Sequence, residues 1–365
     1  MTVTTRIAIV GTGLIGASIG LAARATGAEV RGWDPDAESL ALAGEREAVQ
    51  PAPSLEEALA DADLAIVAAP IGSLPATVRE VLAAAGEGTT VTDVGSTKAA
   101  VCEAAAGSTR FVGGHPIAGL EARGPTAAKA DLFRGVTWFL APLATTDPDR
   151  YRAVHGFVGS LGATPVAIDP VAHDALVAMT SHVPHVLANV VVNQAGANRV
   201  EGHEPLAHAG GSLRDMTRIA GANPRIWVDI FLDNAEPVRA ALAEHRRRIE
   251  QVEAALASGD AGFLARWIGE ASANRRRMLE REYPPGALQQ LRVHVPDRPG
   301  VLAGITQALG AELINIEDFE LHHVSPDRGG TLTVLVTGEG EARRAADILE
   351  AQGYGVVVSA VLEGE

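Results

Sequence analysis

The sequence predicts an α/β chain that opens on a parallel, doubly wound sheet of Rossmann type. An all-α part and a smaller α+β part follow it. Three observations lead there. Over residues 1–170 short β-branched runs alternate with Ala-rich helical runs. From about Pro170 to Glu282 the strand signal disappears, and over 288–365 strands and helices alternate again. With 365 residues the chain is long enough for two or three separate cores.

In the first part the predicted strands are Arg6–Val10, Glu29–Trp33, Leu64–Ala69, Thr90–Asp93, Arg110–Gly113, Thr137–Ala141 and Thr164–Ile168. Helical stretches between consecutive strands imply parallel pairing, because a parallel neighbour needs a crossover. In the middle part, 171–283, the stretch "NAEPVRAALAEHRRRIEQVEAALASGD" carries Val238, Leu242, Ile249, Val252 and Leu256 on one stripe. Asn234 is its expected cap, with Pro237 in the first turn. "YPPG" at 283–286 reads as a linker, since two prolines and a glycine stop a helix. The last part follows the order strand, helix, strand, strand, helix, strand, a ferredoxin-like unit.

Composition excludes several classes. The net charge of −15 offers no field to attract nucleic acid or an anionic membrane. An anionic substrate must therefore be met by local cations, almost all of them arginine, since Lys98 and Lys129 are the only lysines. Cys102 is the only cysteine, which rules out a disulfide framework or a cysteine metal site. The apolar run Ile7–Ala23 is broken by four glycines, and no other segment is expected to reach transmembrane length free of charge or turn residues. A cytoplasmic protein is expected.

"RIAIVGTGLIGASIGLAARATGAEVRGWD" carries Gly11, Gly13 and Gly16 as G-x-G-x-x-G between a strand and a helix. Gly11 permits the tight turn, Gly13 lets backbone approach a pyrophosphate, and Gly16 packs helix on strand. The helix start at Leu14 and Ile15 offers free N–H groups to phosphate. Asp34 ends the second strand, where an acidic side chain binds the ribose diol and repels a 2′-phosphate. NAD is therefore expected in preference to NADP. Ala69 and Pro70, at the end of a later strand, are expected beside the cofactor.

Loops after further strands face the crevice where a substrate would sit. "TDVGSTK" (92–98) and "GGHPIAG" (113–119) are two such loops, and they bring Ser96 and His115 toward one place. Histidine there suits removal of a hydroxyl proton while hydride leaves the same carbon. Ser96 has a second reading as a helix cap ahead of Lys98. His182 and His185 suit zinc by spacing, but no third ligand is placed to complete a site, so no metal is expected.

Five motifs in order, G-x-G-x-x-G, D-x-G-S-x-K, G-x-H-P-x-A-G, S-H-x-P-H and R-D-x-T-R-I-A, resemble the prephenate dehydrogenases and their arogenate and cyclohexadienyl relatives. The resemblance spans nearly the whole chain and includes a C-terminal ACT domain. It implies that His115 is the catalytic base and that Ser96 supports it. It implies that Ser181 and His185 of "SHVPH" and Arg218 of "LRDMTRIA" bind substrate, Arg218 by gripping a carboxylate. Glu121, Asp215 and Trp227 fall where relatives gate or line the pocket. The helical part is then a homodimerisation domain. In "VPDRPGVLAGITQALG" (295–310), Asp297, Pro299 and Gly300, with Asn315 further on, are the implied effector site, and L-tyrosine the implied ligand.

Read from the residues alone, Asp215 and Arg218 also suit a helical i,i+3 ion pair, and Trp227 a core position. A lysine catalyst in the helical part, typical of β-hydroxyacid dehydrogenases, is excluded because no lysine follows Lys129. Arogenate remains open as the substrate. So does a non-catalytic sensor of NAD and an amino acid.

Overall fold

A computed structural model describes residues 5–118, 123–280, 287–325 and 329–360. Glu121 and the 283–286 linker lie outside the described residues. The chain divides into two compact units, Met1–Arg247 and Arg248–Glu365.

The first unit is built on β1 (Arg6–Val10), β2 (Glu29–Trp33), β3 (Gln50–Pro51), β4 (Leu64–Val67), β5 (Thr90–Asp93), β6 (Phe111–Pro116), β7 (Thr137–Pro142) and β8 (Thr164–Ala167). Helices α1 (Leu14–Ala25), α2 (Ala37–Glu45), α3 (Leu55–Leu59), α4 (Leu74–Ala84), α5 (Ala99–Ala104) and α6 (Pro148–Ser160) connect them. The sheet order is β3-β2-β1-β4-β5-β6-β7-β8. Alternate residues feed two cores: Ile9, Ile66, Val112 and Leu140 lie on one face, Val10, Val67, Val91 and Phe111 on the other. That two-sided burial is why these strands read as apolar runs rather than as alternating ones.

Two details differ from the sequence reading. The sheet is parallel from β3 through to β6, but β7 runs antiparallel to β6. Between them the described chain holds a 3₁₀ turn, Pro125–Ala127, and no α-helical crossover. The strand expected to end at Gly113 continues to Pro116, so His115 sits on β6 and not in the following loop. The pairing His115↔Phe139 with β7 extends it.

The helical part continues with α7 (Pro170–Val177), α8 (Val183–Ala197), α9 (Gly211–Thr217), α10 (Pro224–Asp233), α11 (Ala235–Ser258) and α12 (Ala261–Glu280). A π-helical turn, Ala178–His182, joins α7 to α8. Pro184, in the first turn of α8, has no N–H to give to the preceding turn, and the widened turn accommodates it. The resulting helical run Pro170–Ala197 has 28 residues and contains an 18-residue window of mean hydropathy 1.5, long and apolar enough by length and composition to cross a membrane. It contains Asp174 and Pro184, so it is not free of charge or turn residues. The run is no ordinary span, however, because it buries His173, Asp174 and His182. Asn234 precedes α11 as expected, but its side chain does not cap that helix and turns inward.

The second unit contains β9 (Leu288–Val295), α13 (Val301–Ala311), β10 (Asp318–Ser325), β11 (Gly329–Thr337), α14 (Glu339–Ala351) and β12 (Gly355–Ala360). Its antiparallel sheet has the order β10-β11-β9-β12, the ferredoxin-like arrangement. Leu291, Val293, Ile305, Leu309, Val334 and Leu349 form its core. Gly300 caps α13 with φ +89°, a conformation that glycine adopts at little cost.

Candidate active site

The glycine loop adopts the geometry that its residues require. Gly11 has φ +97°, and a Cβ there would lie 2.4 Å from the Ala68 carbonyl oxygen. A Cβ at Gly16 would lie 1.9 Å from the Gly11 carbonyl oxygen, so α1 packs against β1 only without one. Space beside Gly13 is open. No side chain caps α1, whose first N–H groups at Leu14 and Ile15 are therefore available to a phosphate. Asp34 is held by Thr12, whose backbone N–H donates to Oδ2 at 2.6 Å and whose hydroxyl donates at 3.2 Å. Asp36 N–H donates to Oδ1 at 2.9 Å. An open cradle, an uncapped helix and a fixed carboxylate suit a dinucleotide. Ala69 and Pro70 follow β4 in the adjacent connection.

At the end of β5 and β6 a chain of polar contacts is buried in the protein. His115 Nδ1 lies 2.9 Å from His173 Nε2, and His173 Nδ1 lies 2.8 Å from Asp174 Oδ1. Asp174 also accepts the backbone N–H of Lys98 at 2.7 Å and that of Ala99 at 2.8 Å, at the open start of α5. The Lys98 ammonium is paired with Asp93, both side chains fully buried. Asp93 further accepts N–H groups from Gly95 (2.8 Å) and Gly114 (3.0 Å), which ties β5 to β6 directly before His115. Asn234 donates to the Asp174 carbonyl at 2.9 Å and lies 3.0 Å from His182 Nδ1.

These surroundings set the histidines. Burial holds the His115 pKa well below the ordinary histidine value, and His173, Lys98 and His182 add to the effect. His182 is pushed down to about 4 by burial, with Asp174 opposing and His173 and His185 reinforcing. His185 is lowered by burial and partly restored by its hydrogen bond to Ser181. At neutral pH His115 is a neutral imidazole able to accept a proton.

The structure brings some expected residues together and leaves others apart. His185 donates from Nδ1 to the Ser181 carbonyl at 3.1 Å and stacks on Trp227 with centroids 3.5 Å apart. His182 meets Trp227 and Phe231 edge-on. Trp227 thus packs directly on the histidine motif. Arg218 lies in a 3₁₀ turn, Arg218–Gly221, against α8 and is exposed. It has no ion-pair partner among the described residues, so the alternative pairing with Asp215 is not made. Asp215 is likewise exposed on α9. Ser96 makes no side-chain hydrogen bond among the described residues. The group touching His115 is His173, and Ser96 is not the cap of α5, whose cap position is Lys98. Among the described residues no cluster of three ligands could hold a metal ion.

Sequence reasoning did not single out His173 or Asp174, and it read Asn234 only as a helix cap, not as a partner of Asp174 and His182. The dipeptide His173-Asp174 lay close to a recognised motif. Its contact with His115 spans 58 positions, however, and no local pattern encodes that.

Family models match three consecutive regions. They are the prephenate dehydrogenase nucleotide-binding domain (residues 19–167), the prephenate dehydrogenase dimerization domain (169–270) and the ACT domain (289–353). The prephenate dehydrogenase of Bacillus subtilis (strain 168) is 32% identical over 358 residues, 95% of this chain and 96% of that protein. The chain belongs to the prephenate dehydrogenase family. The structure resembles that of Aquifex aeolicus prephenate dehydrogenase in complex with hydroxyphenyl propionate and NAD+, with TM-score 0.70, 26% identity, and coverage of 75% of this chain and 98% of that one. It also resembles Synechocystis arogenate dehydrogenase, with TM-score 0.69, 27% identity, and coverage of 75% and 100%. Dehydrogenase activity and NAD as its cofactor follow from this membership and from the nucleotide-binding domain.

Proposed function

We propose that the protein oxidises prephenate to 4-hydroxyphenylpyruvate with NAD⁺ and releases CO₂. The observation that carries this reading is His115. It is a neutral histidine on a strand end of the nucleotide-binding sheet, with Nδ1 engaged and Nε2 without a partner among the described residues. Bound NAD⁺ supplies the hydride acceptor, and Asp34 favours its free ribose diol over a 2′-phosphate. His115 Nε2 takes the proton of the C4 hydroxyl as hydride leaves that carbon, and loss of the ring carboxylate completes an aromatic ring. Aromatisation drives the reaction, so the protein mainly orients the substrate and holds the proton.

The substrate is a dianion and the chain carries a net charge of −15. Exposed and without a counter-ion among the described residues, Arg218 is suited to fork onto a carboxylate. Ser181, His185 and Trp227 line the same region, Asp215 belongs to its rim, and Ser96 contacts the substrate hydroxyl. A second reading, arogenate as substrate, is favoured by the resemblance to Synechocystis arogenate dehydrogenase. The test is His115→Asn with NADH absorbance as readout. Loss of about 10²–10⁴-fold in kcat is expected with NAD binding retained. A variant that keeps a tenth of wild-type kcat refutes the base role, and a higher kcat/KM for arogenate refutes the choice of substrate.

The helical part pairs two copies of the chain in this reading. Its apolar stripe is only partly covered within one chain, with Ile249 59% and Leu256 65% exposed. The ACT unit binds L-tyrosine at Asp297, Pro299, Gly300 and Asn315, although the Asn315 amide is engaged with Glu317 at 3.0 Å. Feedback inhibition by tyrosine that survives deletion of 287–365 refutes this assignment. A cytoplasmic biosynthetic enzyme is the setting that these parts suit.

A further inference from the structure

We propose that His173, anchored by Asp174, is a positioning residue that fixes the His115 ring and keeps its resting proton on Nδ1. Nε2 is then bare toward the substrate hydroxyl. The inference rests on the base role assigned to His115 above.

The argument follows the donors and acceptors along the chain. A carboxylate only accepts, so the 2.8 Å contact between Asp174 Oδ1 and His173 Nδ1 places a proton on that nitrogen. A neutral His173 then has a lone pair on Nε2, and the 2.9 Å contact to His115 is made by a proton on His115 Nδ1. The opposite polarity needs a second proton on His173. That would place a cation in a fully buried side chain. Asp174 offers little room for this, because it already accepts two backbone N–H groups from the start of α5. The opposite polarity would also leave His115 with its proton on Nε2 and nothing to receive the substrate proton.

The ring of His173 is mechanically held as well. Phe139 meets it edge-on at 5.4 Å, and the α5 backbone clamps the carboxylate that orients it. When His115 takes a proton, its Nδ1–H···His173 bond becomes charge-assisted, and the imidazolium is stabilised through His173 toward Asp174. The arrangement performs the role that an aspartate plays beside the histidine of a serine protease, with a second imidazole interposed.

The test has two readouts on the full-length protein. Nitrogen-15 NMR of histidine-labelled enzyme, with His115 assigned by difference from His115→Asn, reads the tautomer without turnover. A proton on Nδ1 is expected, and a proton on Nε2 overturns the proposal while leaving the overall reaction untouched. In parallel, His173→Leu removes the acceptor and His173→Gln supplies one at a similar reach. The expected result is a loss of about a hundredfold in kcat for His173→Leu, with KM values within about threefold, and recovery of at least tenfold by His173→Gln. If His173→Leu is folded and keeps kcat within about threefold of wild type, the proposal fails. If it does not fold, the tautomer measurement on the native enzyme decides. Retained activity in His115→Asn would instead remove the base role and leave the hydrogen-bond polarity standing.

Discussion

Acid should weaken this protein through His182, and the size of the effect follows from its surroundings. The side chain is buried between Asn234 and Trp227, and its pKa falls from 6.5 to about 4. As pH drops below about 6.5 the unfolded chain binds a proton at this residue, whereas the native protein refuses it until about pH 4. The stability contributed by a neutral His182 is therefore complete above about pH 6.5 and is lost as pH falls toward 4. At about 1.36 kcal/mol per unit, the loss between pH 7 and pH 5 is about 2 kcal/mol. His182→Asn keeps an acceptor for Asn234 and removes the titration. The assay is urea denaturation by circular dichroism at pH 7 and pH 5, at one protein concentration. The variant should be less stable than wild type at pH 7, because a smaller side chain leaves space. It should nevertheless lose about 2 kcal/mol less on going to pH 5. Equal losses in the two proteins would refute the argument, since any contribution from His115 is common to both.

Lys98→Met strands the buried Asp93 carboxylate on two backbone N–H groups and should cost about 3–5 kcal/mol. Adding Asp93→Asn should recover part of that, measured as a double-mutant cycle; strictly additive losses would deny the pair. Arg218→Ala should raise the KM for prephenate about 10- to 100-fold with kcat nearly unchanged, because a carboxylate contact is present in ground and transition states alike. Steady-state kinetics checks this, and a matching fall in kcat would place Arg218 at the reacting carbon instead. Asp34→Asn should weaken NAD and narrow its advantage over NADP in calorimetric titration, whereas unchanged selectivity would separate Asp34 from the ribose.

Much of the architecture was legible because it is locally encoded. Glycines at 11, 13 and 16 between a β-branched run and an Ala-rich run have few other uses, and the strand–helix alternation at both ends of the chain follows from the spacing of apolar residues. The reversal at β7 was not legible. Strand direction depends on how the chain returns, and no periodicity separates a helical crossover from a long irregular one. His115 was found from its motif, but its contact with His173 was not. Local reasoning favours neighbours on adjacent strand ends, while His173 reaches His115 from a helix 58 positions away. The inward turn of Asn234 was hidden for a related reason. Asparagine ahead of a helix is the usual sequence sign of a cap, and only the tertiary fold reveals a better partner in the Asp174 carbonyl.

The Asp174 carboxylate joins the first backbone groups of α5 to α7, and so rivets the nucleotide-binding sheet to the helical part at their catalytic end. A dehydrogenase that opened like a clamshell about this point would have to break charge-assisted bonds in a dry environment on every turnover. A crosslink joining α5 to α7 should therefore leave turnover intact.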